Sequence, residues 1–177
     1  KYSEAPLYID DTSGCSPYEV RAKCRRLKAQ KGLDLVIVDY MQIMDLKMKV
    51  ENRVREIAEI SKNMKALAKE LKIPVIVLSQ INRGAEGRND RRPMLSDLRE
   101  SGSIEQDADV VMMIYRDEYY DRDNPDNKGI AEILINKQRN GPTGVVKLAW
   151  LSQYSKFANL AADTGVQTMQ SFQGPNS

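Results

Sequence analysis

Histidine is absent from this sequence of 177 residues, and cysteine is scarce. Without an imidazole, these residues cannot form a Ser-His-Asp triad, a histidine general base or a zinc site with histidine ligands. The two cysteines are Cys15 and Cys24, and their separation suits neither a CxxC redox pair nor a four-ligand metal site. We therefore expect reduced thiols and a cytoplasmic protein.

A long apolar run and a strong net charge are missing as well. No apolar stretch approaches the ~18 residues that a membrane span requires, so we expect neither a transmembrane segment nor a membrane partner. The 27 basic and 25 acidic side chains leave a net charge of +2, which excludes a polybasic tail protein. Contact with nucleic acid must then come from local basic patches.

Short apolar runs alternate with amphipathic segments along the chain. Strands are predicted at 7–9, 35–38, 73–78, 109–115, 130–137 and 145–151, and helices at 16–32, 52–72 and 103–106. The continuous apolar run at 35–38 is typical of a parallel strand covered on both faces, whereas the turn residues at 140–144 indicate an antiparallel hairpin. This order predicts an α/β fold with a mostly parallel sheet, flanked by helices and completed by a C-terminal hairpin.

The composition changes after Asn159 to glutamine, serine, glycine and threonine with little periodicity. Such a segment buries too little apolar surface to offset its ordering entropy. We therefore predict one domain over residues 1–159 and a flexible tail over 160–177. Because the sequence starts at Lys1 and almost at once enters an apolar run, we expect it to be part of a longer chain.

Two polar residues follow neighbouring predicted strands, at the edge where α/β sheets bind ligands. Asp39 ends the 35–38 strand, and Gln80 follows the 73–78 strand. A carboxylate there can hold Mg²⁺ on a nucleotide, and an amide can orient a water or contact a γ-phosphate oxygen. Each residue can equally begin a turn or bond a loop, so the spacing alone leaves both interpretations open.

Basic residues are concentrated in two places. Lys137 and Arg139 are two residues apart, at the end of a predicted strand and the start of its hairpin, and project in the same direction; this suits either a phosphate clamp or a solvated hairpin rim. The loop at 82–96 is net basic, and Gly102 after it permits close backbone approach. This region is either an ordinary solvated loop or a contact for the phosphates of single-stranded nucleic acid.

Five blocks occur in a fixed order and carry a family resemblance. They are Pro6–Asp11, Leu35–Gln42, Val75–Arg83, Ser96–Asp109 and Lys137–Pro142. Together they resemble the RecA-like motor domain of bacterial or phage replicative DNA helicases of the DnaB family, from about residue 5 to 160. The segment from Asp97 to Asp109 and the Lys-Gln-Arg-Asn-Gly segment are the most specific.

The resemblance implies part of a RecA-like P-loop NTPase fold and the cofactors ATP and Mg²⁺. It implies ATP-dependent unwinding of duplex DNA by 5′-to-3′ translocation on single-stranded DNA. It also implies a homo-hexamer in the full-length form, with primase and a helicase loader as partners.

The resemblance assigns site residues one position at a time. Asp39 matches the Walker B aspartate that holds the nucleotide's Mg²⁺, and Gln80 matches the residue that senses the γ-phosphate. Arg139 matches the arginine finger offered to the neighbouring subunit, and Lys137 the lysine beside it. The positions expected at DNA are Arg99, Glu100 and Gly102, together with Arg83, Arg91 and Arg92 of the basic loop.

Two departures from the family pattern affect activity. The sequence contains no Gly-x-x-x-x-Gly-Lys-Ser/Thr phosphate loop, and the family's water-activating acidic residue lies upstream of Lys1. We therefore expect the 177-residue fragment to be inactive by itself. A non-catalytic nucleic-acid-binding or assembly module is one alternative. A RecA-type recombinase-like ATPase is another, against which the segment from Asp97 to Asp109 argues.

Overall fold

The computed structural model describes residues 5–48 and 50–160, without the side chains of Arg83, Ala85 and residues 99–101. The chain divides into two compact units, Lys1–Gln80 and Ile81–Ser177. The tail predicted at 160–177 lies outside the described residues except for Leu160. No helix in the described ranges is both long and apolar enough to cross a membrane.

The first unit contains, in chain order, helix α1 (Pro17–Lys31), strand β1 (Val36–Val38), helix α2 (Arg53–Leu71) and strand β2 (Val75–Val77). Helix α1 begins with the predicted capping box, in which Ser16 and Glu19 exchange hydrogen bonds. Strands β1 and β2 pair in parallel, with Val36 opposite Val75 and Val38 opposite Val77.

Helix α2 supplies the core of the first unit. Its buried apolar side chains recur every three or four residues, so that they lie on one face. They are Ile57, Ile60, Met64, Leu67 and Leu71. The prediction of a helix over 52–72 is therefore confirmed.

Two predictions for the first unit are wrong. Residues 7–9 form no strand, because an apolar tripeptide needs a partner strand and none of the described residues pairs with it. Strand β1 is not covered on both faces: Val36 is buried, but Ile37 on the opposite face is 60% exposed.

The second unit is built on an antiparallel sheet in the order β3 (Val110–Tyr115), β4 (Ile130–Gln138), β5 (Gly144–Leu151) and β6 (Lys156–Asn159). The β4–β5 hairpin confirms the prediction, whereas β6 was not predicted. A short helix, α3 (Gly102–Asp107), precedes β3. The core contains Leu98, Met113, Tyr115 and Leu134.

The α/β class is confirmed, although the balance of strand pairings differs from the prediction. The described residues contain one parallel pairing, β1 with β2, and three antiparallel ones, β3–β4, β4–β5 and β5–β6. The apolar run of β3 looks like that of a parallel strand, but β3 lies antiparallel beside β4, and β6 extends the antiparallel sheet further.

Candidate functional site

Asp39 and Gln80 leave the parallel strand pair at the same edge. The pairing continues one step past the strands, since the Leu78 amide donates to the Val38 carbonyl oxygen at 2.9 Å and the Met41 amide donates to the Leu78 carbonyl oxygen at 2.9 Å. Both Asp39 and Gln80 are exposed. The placement beyond the carboxyl ends of β1 and β2 is therefore as the sequence predicts.

Within the described ranges, the functional groups of Asp39 and Gln80 remain without partners. Neither the Asp39 carboxylate nor the Gln80 side-chain amide forms a hydrogen bond or ion pair with another described residue. A carboxylate oxygen is a ligand that Mg²⁺ accepts, usually together with nucleotide phosphates and water. The described ranges hold no cluster of three or more potential protein ligands, so a magnesium ion at Asp39 would depend on such outside oxygens.

Gln42 is the residue that sequence reasoning missed at this edge. Its Nε2 donates to Ser79 Oγ at 3.0 Å and to the Gln80 carbonyl oxygen at 3.2 Å. Its Oε1 accepts from the Gln80 backbone amide at 3.1 Å. The sequence around Gln42 does not predict these hydrogen bonds, because their partners lie in the distant Ser79–Gln80 segment.

Lys137 and Arg139 both contact the carboxyl end of α3. Lys137 Nζ donates to the carbonyl oxygens of Glu105 and Gln106, and Arg139 Nη2 donates to the Gln106 carbonyl oxygen at 3.1 Å. Arg139 Nε also lies 3.3 Å from Asp109 Oδ1. The two cations therefore share a direction, as predicted, and they satisfy carbonyl groups that a helix end leaves unpaired.

Two bidentate arginine–carboxylate pairs hold the basic loop against the rest of the second unit. Arg88 binds both oxygens of buried Asp97, at 2.8 and 2.7 Å, and Arg92 binds both oxygens of buried Glu132, at 2.6 and 2.9 Å. These hydrogen bonds raise the pKa of both guanidinium groups. The geometry favours an anchoring role for Arg92, whose charge is matched by Glu132.

The remaining DNA-binding candidates lie in or beside short 3₁₀ segments. Arg83 begins the segment Arg83–Gly87, and Arg99 and Glu100 lie in Leu95–Ser101; their side chains are outside the described part. The Arg91 guanidinium lies 5.3 Å from the centre of the Tyr120 ring. Their assignment to DNA stays a prediction.

Gly102 follows directly as the first residue of α3. Its φ is −50°, and a Cβ added there meets no atom within 4 Å. Among the described residues, nothing in the local fold requires a glycine at this position.

Residues 1–159 match the family described as "DnaB-like helicase C terminal domain". The chain belongs to this family. The replicative DNA helicase DnaB of Geobacillus stearothermophilus is 55% identical over 159 residues, which are 89% of this chain and 35% of that protein. The sequence resemblance to the DnaB family is therefore confirmed.

Two solved structures share the fold at 42% identity and a TM-score of 0.85. One is described as an ATPase domain, and the match covers 90% of this chain and 56% of that one. The other is a DnaB-like replicative helicase described with its interactions with primase, and the match covers 90% of this chain and 39% of that one. These neighbours confirm the RecA-like α/β class. The chain spans about a third of the length of the curated relatives it matches.

Proposed function

We propose that this chain is the C-terminal part of the motor of a replicative DNA helicase, which unwinds duplex DNA by ATP-driven 5′-to-3′ translocation on single-stranded DNA. One observation carries the proposal: a carboxylate and an amide without partners in the described chain, Asp39 and Gln80, lie at one edge of a parallel strand pair in a DnaB-like domain. This is the edge where α/β proteins bind nucleotides.

Each residue has a definite task in this proposal. The Asp39 carboxylate holds Mg²⁺, which neutralises charge on the β- and γ-phosphates of ATP during phosphoryl transfer. The side-chain amide of Gln80 contacts the γ-phosphate and so senses whether the γ-phosphate is present. Arg139, with Lys137 beside it, is offered to the site of a neighbouring subunit, where a guanidinium stabilises the transferring phosphoryl group.

Single-stranded DNA is the second ligand in the proposal. Arg99, Glu100 and Gly102 follow the DNA backbone, because a phosphate-tracking loop needs a cation and close approach of main-chain groups. The shared arginine site requires an oligomer, and we propose a homo-hexamer. Primase is a proposed partner, since one structural neighbour is described with its interactions with primase, and a helicase loader is another.

The test compares two aspartates at opposite ends of β1 in the full-length protein that carries this chain. Asp39→Asn should lower DNA-stimulated ATP hydrolysis by about a hundredfold or more, because metal stabilisation of the transition state is worth several kcal/mol and each ~1.4 kcal/mol is tenfold. Asp34→Asn is the matched control, since Asp34 precedes β1 and lies away from the strand-end edge. Its rate should stay within about twofold of the parent rate.

Two outcomes would contradict the proposal. An Asp39→Asn protein that hydrolyses ATP at the parental rate would remove the metal site from this edge of the sheet. A parent protein that binds single-stranded DNA but hydrolyses no ATP would support the alternative of a non-catalytic binding module.

A further inference from the structure

We propose that Gln42 is a positioning residue that fixes the main chain of Gln80, and through it the direction of the Gln80 side chain. The inference deepens the proposed function and rests on it, because Gln80 is the proposed γ-phosphate sensor. It assigns a role to a residue that touches neither nucleotide nor DNA in the proposal.

The Gln42 amide pairs with the Gln80 main chain as a neighbouring strand would. The Oε1 atom of Gln42 accepts a hydrogen bond from the backbone amide of Gln80 at 3.1 Å, and its Nε2 donates to the Gln80 backbone carbonyl oxygen at 3.2 Å. Residues of antiparallel strands exchange the same two kinds of bond when they lie directly opposite each other. A third bond, from Nε2 to Ser79 Oγ at 3.0 Å, fixes the amide plane.

The pairing continues the sheet beyond its last backbone contacts. Strand β2 is bonded to the first strand up to Leu78, whose amide donates to the Val38 carbonyl oxygen. Past that point Ser79 and Gln80 have no further strand beside them among the described residues, and Gln42 supplies the missing partner. Without it, the two residues after Leu78 would extend from the sheet unsupported.

Gln42 is itself held firmly enough to serve as a support. Its carbonyl oxygen accepts a hydrogen bond from Arg53, which also pairs with Glu56 in the first turn of α2. The neighbouring Met41 and Met44 side chains are buried, at 2% and 4% exposure. Gln42 therefore connects the end of β2 to the first turn of α2.

The Gln80 side chain depends on this support because its amide forms no hydrogen bond with another described residue. The main chain sets the position of its Cα and the direction of its Cα–Cβ bond, and therefore the region that the side-chain amide can reach. A displacement of about 1 Å in a reacting group can cost about a hundredfold in rate. Loss of the Gln42 amide should therefore lower turnover while leaving nucleotide affinity largely unchanged.

The experiment uses Gln42→Met in the full-length protein, because methionine keeps the length of the side chain and removes the amide. We expect kcat for DNA-stimulated ATP hydrolysis to fall about tenfold or more, with KM for ATP within about twofold. Hydrogen exchange at the backbone amide of Gln80 should become faster, since that amide loses its hydrogen-bond acceptor. Gln30→Met, at an exposed position late in α1, is the matched control and should change neither quantity.

A double-mutant cycle separates positioning from general stability. If Gln42 acts through Gln80, adding Gln42→Met to Gln80→Ala should lower kcat by less than about twofold further. An additive loss, or a normal kcat in Gln42→Met, would overturn the inference. Gln42→Glu keeps an acceptor for the Gln80 backbone amide but turns a carboxylate oxygen toward the Gln80 carbonyl oxygen, so its kcat should fall at least as far as that of Gln42→Met; a parental kcat would also count against positioning.

Failure of the proposed function would look different. If Gln80→Ala itself hydrolysed ATP normally, the sensor assignment would be wrong whatever Gln42 does. If Gln80→Ala were impaired and Gln42→Met were not, only the positioning role would fall.

Discussion

Arg139 is bound within its own chain and is still accessible. Its guanidinium contacts the Gln106 carbonyl oxygen and the Asp109 carboxylate, yet 54% of the side chain is exposed. An exposed ion pair of this kind contributes at most about 1 kcal/mol. A bidentate contact to a phosphate is stronger, so exchanging the internal partners for a neighbouring subunit's nucleotide costs little.

Replacing this arginine should therefore affect catalysis much more than folding. We expect Arg139→Ala to lower ATP turnover by roughly 10³-fold in the full-length protein, the usual effect of losing an arginine finger. Steady-state hydrolysis and a thermal unfolding curve measure the two effects separately. A loss below about tenfold would reassign Arg139 to an ordinary hairpin rim.

Salt dependence should distinguish two arginines predicted at DNA. Each phosphate contact contributes roughly 0.7–0.9 to the slope of log affinity against log salt concentration, so Arg99→Ala should reduce that slope by about one contact. Arg92→Ala should leave the slope unchanged, because its guanidinium is already matched by buried Glu132. Binding of single-stranded DNA at several salt concentrations measures both. An unchanged slope in Arg99→Ala would contradict the loop assignment.

Residue identities predicted where Asp39 and Gln80 lie at the strand ends, but not the hydrogen bonds of Gln42 that hold the Gln80 main chain. Asp39 and Gln80 could be placed because each follows an apolar run, and parallel strands bring such ends together. Gln42 could not, because its partners lie more than thirty residues away. The partner of Arg92 was unpredictable for the same reason, since Glu132 belongs to β4.

Secondary-structure elements were predictable where the pattern within the element determines them. The capping box of α1 and the apolar stripe of α2 are local signals, and both helices form as predicted. A strand depends on a partner strand elsewhere in the chain, so strands were predicted less well than helices. Residues 7–9 are apolar but unpaired, whereas β6 pairs with β5 and packs Phe157 against Trp150 at 4.8 Å between ring centres.

The contact between α1 and α2 should depend on pH. Hydrogen bonds from Arg25 and Arg21 of α1 hold the pKa of Glu70 on α2 below its ordinary value of 4.5. Because the folded pKa is the lower one, the pair stabilises the protein above about pH 4.5 and loses this effect as the pH falls through the folded pKa.

Glu70→Gln tests this prediction. The parent protein should be more stable than the variant at neutral pH, and the difference should shrink below about pH 4.5. Thermal unfolding of both proteins across this range measures it, with Glu86→Gln at an exposed position of the Arg83–Gly87 segment as the control. A difference that persists unchanged at about pH 3 would show that the ion pair is not its cause.

At the scale of the whole molecule, the sequence predicted the α/β class but not the balance between parallel and antiparallel strand pairings. Apolar runs identify strands without saying which way the neighbours run, so the pattern predicts β3 in a mostly parallel sheet although it pairs antiparallel with β4. They also predict burial on both faces, whereas Ile37 and Ile76 are 60% and 46% exposed. The match covers 35% of the length of each of two curated relatives, and the activity of those relatives belongs to the whole protein.

The 177 residues by themselves lack part of the nucleotide site. Asp39 supplies a metal ligand and Gln80 an amide, but the sequence has no Gly-x-x-x-x-Gly-Lys-Ser/Thr segment, whose backbone amides and lysine bind the β- and γ-phosphates. The purified chain should therefore show no DNA-stimulated ATP hydrolysis above background, while the full-length protein at equal concentration does. Robust hydrolysis by the chain alone, abolished by Asp39→Asn, would mean that phosphate binding here uses other residues and that the division of labour proposed for this site is wrong.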